Sequence, residues 1–148
     1  MIQTSMFEDV EDFNNKFGLP TARPGVICQF PAPEVLVYRD RFLAEELNEY
    51  RLAVNAGDLS GALDALVDLA YVVLGTAHFY GAPFDKLWDE VQRANMAKER
   101  GINDARHKRG AAEGVRKPAG WTPPDITGII AQYNTKTLAL RQPEQLKI

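Results

Sequence analysis

Apolar residues recur along this chain every three to four positions, broken by short glycine- and proline-marked interruptions, a rhythm that predicts helices rather than strands. Val10, Phe13 and Phe17 share one face of a helix over 8–17, and Gly18 ahead of Pro20 supplies its stop. The stretch LPTARPGVICQFPAP holds four prolines and reads as an irregular connection, with helix resuming after Pro33. Leu43, Leu47, Tyr50 and Val54 mark a second helix over about 34–56; Gly57 ends it and Asp58 stands ready to cap a third over 59–80. So short a turn makes the two antiparallel neighbours. Gly81 ends the third helix, and Pro83 opens a fourth in which Phe84, Leu87, Trp88, Val91 and Met96 form the apolar stripe and Gly101 is the stop. Beyond it the periodicity fails until WTPPD, which is rigid because each proline restricts the residue before it. A last short helix is predicted at about 124–133, and the tail NTKTLALRQPEQLKI carries no strong signal, leaving docking and looseness both open. The expected class is all-α, a bundle-like core of antiparallel helices. Residues 1–125 form its domain, with a basic loop over 98–120, and residues 126–148 add a short helix and tail.

Acidic residues interrupt this pattern. The third helix is apolar almost all round, so Asp68, flanked by Leu66, Val67, Leu69, Ala70, Val72 and Val73, is expected to be buried, and a buried carboxylate is costly unless partnered. Asp64 lies one turn before it. On the second helix Glu45 and Glu49 are one turn apart and Glu46 and Glu49 nearly so, a spacing at which like charges repel. Two readings follow: a solvated face paired by Arg39, Arg41 and Arg51, or an acidic cluster that holds a divalent cation such as Mg²⁺ or Mn²⁺, for which carboxylate oxygens are preferred ligands.

At 148 residues the chain suits one domain with a core of its own. Cys28 is its only cysteine, which excludes an internal disulfide and a cysteine-based zinc site and fits a reducing compartment. The start MIQTSMFEDVEDF has no basic segment followed by an apolar run, and no stretch reads as the roughly 18 apolar residues of a membrane span. A cytoplasmic protein without a membrane role is expected. The net charge of −3 argues against wholesale nucleic-acid binding, but it is unevenly spread. From Lys98 to Lys117 seven basic residues face three acidic ones, so a basic arm joins an acidic helical body. That division suits a phosphate-bearing ligand that recruits a metal, and also an ordinary solvated loop. No GxGxxG or P-loop occurs. A di-iron carboxylate bundle needs Glu-x-x-His pairs, whereas Gly75 stands three before His78 and Asp104 three before His107.

The EExxE run at Glu45, Glu46 and Glu49, followed on the next helix by DLAY from Asp68 to Tyr71, resembles the all-α nucleoside triphosphate pyrophosphohydrolases, the MazG-like and phosphoribosyl-ATP pyrophosphohydrolase-like superfamily. Its usual signature is EExxE and then ExxD; here Ala65 occupies the position of the second motif's Glu, and the extra acid is Asp64. VEDFNNKFGLP, YVVLGTAHFYGAP, EVQRANMAK and KPAGWTPPD extend the likeness to a phage and bacterial single-domain branch over residues 10–125. The resemblance implies hydrolysis of a nucleoside triphosphate to the monophosphate and pyrophosphate, in nucleotide-pool house-cleaning. It implies Mg²⁺ or Mn²⁺ on Glu46, Glu49 and Asp68, with Asp64 or water completing the set, and Glu45 and Glu46 in catalysis. Asn95, Lys98, Arg109, Lys117 and Trp121 would face the substrate, Trp121 having core capping as its other role. A second subunit, as homodimer or dimer of dimers, would complete the bundle. Phosphoribosyl-ATP hydrolysis and a non-catalytic interaction module are the alternatives.

Overall fold

Ser5 starts the first helix. Its hydroxyl accepts the Glu8 N–H while the Glu8 carboxylate accepts the Ser5 N–H, a reciprocal cap that satisfies two otherwise unpaired donors. This helix, α1 (Met6–Phe17), is followed by α2 (Pro33–Ala56), α3 (Leu59–Phe79), α4 (Phe84–Met96) and α5 (Ile126–Arg141) in the computed structural model, which describes residues 5–101 and 114–141. The only sheet among the described residues pairs β1 (Glu99–Gly101) with β2 (Gly114–Arg116), so the class is all-α as the spacing predicts. The chain divides into two compact units, Met1–Pro83 with Tyr133–Ile148, and Phe84–Gln132.

In the first unit α2 and α3 form the helical hairpin set by Gly57 and Asp58. Gly57 takes a left-handed φ of 67°, which glycine adopts without strain, and its N–H reaches back to the Ala53 and Val54 carbonyls. Asp58 then accepts the Gly61 N–H at 3.0 Å and the Ser60 hydroxyl at 3.1 Å, bonds that hold its carboxyl below the usual range. α3 turns Ala62, Ala65, Val72, Gly75 and His78 inward. Phe7 of α1 stacks on the His78 ring with centroids 3.8 Å apart, and Phe13 meets Tyr71 edge-on at 5.5 Å. His78, 1% exposed, accepts the Ala22 N–H at Nδ1 (3.0 Å) and so donates from Nε2 to the Phe7 carbonyl (2.9 Å).

α5 runs on to Arg141 instead of stopping near residue 133. Its later half is anchored by contacts that no local pattern encodes. The Asn134 amide accepts the Cys28 N–H and donates to the Cys28 carbonyl, both at 2.9 Å, Arg141 donates to the Gly25 carbonyl, and Thr137 is buried. The proline-rich connection is thereby held by side-chain bonds to its backbone, and burial raises the pKa of the Cys28 thiol.

In the second unit α4 stops at Met96, so Gly101 is not its terminator. Glu99, Arg100 and Gly101 pair instead with Arg116, Val115 and Gly114, and Glu99 meets Arg116 in an ion pair of 2.7 Å. A Cβ at 101 would lie 2.6 Å from Cδ of Arg116, whose exposed side chain would have to shift to admit it. At the other end of the unit Glu90 binds Arg93 at 2.7 Å and accepts the Asp125 N–H, bonds that hold its carboxyl down to about 2. Arg93 also donates to the Thr122 hydroxyl and the Pro123 carbonyl, which fixes the WTPPD segment to α4.

By length and composition α3 is apolar enough to cross a membrane, with a mean hydropathy of 1.5 over its best window, contrary to the expectation that no stretch qualifies. Asp64 and Asp68 lower that mean too little to fail the measure, which the core helix of a soluble protein also meets.

Candidate active site

Helix geometry brings the five acids of α2 and α3 to one region but buries a different one from that expected. Asp68 and Asp64 are exposed, because the inward stripe of α3 passes through Ala62, Ala65 and Val72 at this level and leaves Leu63, Leu66 and Val67 open as well. Ala65, at the position where the superfamily signature has Glu, is itself buried. The buried acid is Glu46 of α2, only 8% exposed, while Glu45 and Glu49 beside it are exposed. Its spacing in the chain gave no sign of this, since burial here depends on which helix face meets α3.

Glu46 is chemically unusual. Its Oε2 is buried with no hydrogen-bond partner, a condition that costs about 1–3 kcal/mol for a neutral group and more for a charged one. Burial first, then the negative charges of Glu49, Asp68, Glu45 and Asp64, push its carboxyl above the ordinary value of 4.5. The other four acids therefore all act on Glu46, and the arginines of α2 form no ion pair with them among the described residues. Arg39, expected as a possible counter-charge, is buried and bonded to α3 instead.

Among the described residues no group of three acidic, histidine or cysteine side chains stands close enough to hold a metal ion as it is. Mg²⁺ does not require one, because it commonly takes one or two carboxylates and completes its shell with waters and substrate phosphate. An orphaned, desolvated carboxylate oxygen amid four further carboxylates fits a hard divalent cation in charge and donor type. His78 offers no such ligand, since both ring nitrogens are engaged with backbone groups.

Four of the five residues expected at the substrate cluster in the second unit. Lys98 donates to Asn95 Oδ1 at 2.7 Å, and the ammonium groups of Lys98 and Lys117 lie 5.8 and 4.2 Å from the Trp121 ring centroid. The Trp121 indole N–H is committed to the Ala94 carbonyl at 2.7 Å, so the ring is fixed to the end of α4. The ladder places Lys98 and Lys117 together, each just outside the Glu99–Arg116 pair. Arg109 lies outside the described residues.

None of the curated proteins compared with the chain matches it. Residues 10–95 do match a family profile, that of phosphoribosyl-ATP pyrophosphohydrolase, and this span contains α2, α3 and every acid of the cluster. The chain belongs to the phosphoribosyl-ATP pyrophosphohydrolase family, within the MazG-like all-α nucleoside triphosphate pyrophosphohydrolase superfamily.

Proposed function

We propose that this chain is a metal-dependent nucleoside triphosphate pyrophosphohydrolase that cleaves between the α- and β-phosphates, giving a nucleoside monophosphate and pyrophosphate, in cytoplasmic nucleotide-pool house-cleaning. The observation that carries the reading is the orphaned Oε2 of buried Glu46, ringed by the charges of Glu45, Glu49, Asp64 and Asp68. Glu46, Glu49, Asp68 and Asp64 would hold the cation, and the catalytic domain would lie within residues 1–125. When bound, Mg²⁺, or Mn²⁺ in its place, supplies charge neutralisation and polarisation at the α-phosphate. The attacking water forms a bond to the α-phosphorus as the bond to the bridging oxygen breaks, and pyrophosphate leaves. The proton of that water passes to a carboxylate, Glu46 or Glu45. By the superfamily resemblance Asn95, Lys98, Arg109, Lys117 and Trp121 would bind the substrate, the basic groups at its phosphates.

Phosphoribosyl-ATP is the second candidate substrate, favoured by the name of the matching family, and the same bond would be broken in it. A second copy of the chain, as homodimer or dimer of dimers, is assigned to the exposed apolar side of α3.

Pyrophosphate release from a panel of canonical and modified nucleotides and phosphoribosyl-ATP, with Mg²⁺ or Mn²⁺, tests the reading. Glu46→Gln and Asp68→Asn are expected to abolish turnover with the helical circular dichroism spectrum intact. Near-wild-type hydrolysis by both variants refutes the site.

A further inference from the structure

Only two residues of α2 are buried, Arg39 and Glu46, a cation and an anion seven positions apart. Seven residues are two turns, about 10.5 Å of rise with only ~20° of drift, so both side chains leave α2 on the same face, toward α3. Arg39 does not neutralise Glu46. Its Nε donates to the Thr76 hydroxyl at 3.0 Å and its Nη2 to the Val72 carbonyl at 2.7 Å, and Thr76 donates to that same carbonyl at 2.7 Å. The Phe42 and Phe79 rings lie 5.2 Å from the guanidinium carbon, and Gly75 leaves room for Nη2, which a Cβ there would meet at 3.1 Å. A charge has thus been buried to bond the backbone of α3 one turn after Asp68.

We infer that Arg39 is a positioning residue of the acidic site: its two-pronged bond to Val72 and Thr76 fixes the register and rotation of α2 against α3, and so sets Glu46 opposite the turn that carries Asp68. The interface needs such a fix. The inward residues of α3 nearest the acids are Ala62 and Ala65, small and apolar side chains that tolerate sliding and rotation, whereas a buried polar contact is satisfied in one register only. The planar guanidinium supplies two donors in fixed relation, which a lysine cannot reproduce. Ordinary core packing would need neither the charge nor the fork.

This inference rests on the metal-site reading above, and binding of Mn²⁺ alone, measured by calorimetry without nucleotide, separates the two. Arg39→Met is expected to weaken Mn²⁺ binding and lower kcat by about 10–100-fold, as loss of groups that orient metal ligands does, with KM for the nucleotide changed far less. Arg39→Lys restores little. Should Arg39→Met fail to fold, Gly75→Ala, which presses on Nη2 and keeps the charge, is expected to weaken Mn²⁺ binding in the same direction. A wild-type chain that binds no Mn²⁺ overturns the metal site and this inference with it. Normal Mn²⁺ affinity and kcat in a folded Arg39→Met chain, or in Gly75→Ala where the first does not fold, overturns the inference alone.

Discussion

Glu46 carries a testable stability signature at the scale of a single residue. Its folded-state carboxyl titrates above 4.5, so the fold favours the protonated form and the ionised form destabilises it. The penalty is absent below pH 4.5, grows as the pH climbs toward the raised folded value and is complete above it. Metal-free Glu46→Gln is therefore expected to be more stable than wild type at neutral pH, and the advantage to vanish in acid. Thermal melts from pH 4 to 8 without metal measure this, and added Mg²⁺ should raise the melting temperature of the wild type only. Equal melts across that range contradict the orphaned-carboxylate geometry. The acidic run was legible in the sequence as a cluster; which acid is buried was not. Asp68 sits in the more apolar segment yet is exposed, because the surroundings of a helical residue are set by its face and not by its sequence neighbours.

Secondary elements with local punctuation were the most readable. Gly57 and Asp58 mark the α2–α3 turn in the sequence and form it in the structure, through a left-handed glycine and a side-chain cap. Asp58→Ala is expected to lower the melting temperature at neutral pH by roughly 2–6 °C, and Asp58→Asn, an equally good cap, by much less. Because the Asp58 carboxyl is held below 3.8, its contribution is present above that pH and is lost as the pH falls through the lowered value. The Asn variant should not share that acid dependence, a contrast that paired melts at pH 2 to 7 can check. Elements made by distant pairing were not readable. Arg100 and Val115 become cross-strand partners only once the chain has folded back, so the spacing after Met96 continues as helix to Gly101 on paper. The end of α5 was missed for the same reason, since Asn134 and Arg141 are held by the Pro-rich connection and not by a periodic apolar face.

On the scale of the molecule, the first unit is under-covered. Leu59 is 74% exposed, Val67 65% and Leu63 54%, although α3 is the most apolar helix among the described residues. A helix apolar all round is at home only where it is enclosed. Sedimentation equilibrium is expected to give a dimer or tetramer. Val67→Arg, a change at an exposed position of α3, should shift the chain toward monomer by placing a charge on its apolar face. A wild-type monomer at micromolar concentration would count against a second copy on α3.

The Asn134 amide engages both backbone groups of Cys28 as a neighbouring β-strand would, from a position 106 residues later in the chain. During synthesis that partner is made only after α2, α3 and α4. Until then the segment ahead of α2 keeps an unclosed donor and acceptor, open to water or to a stray strand edge, so its completion waits on a residue made well after the helices it precedes.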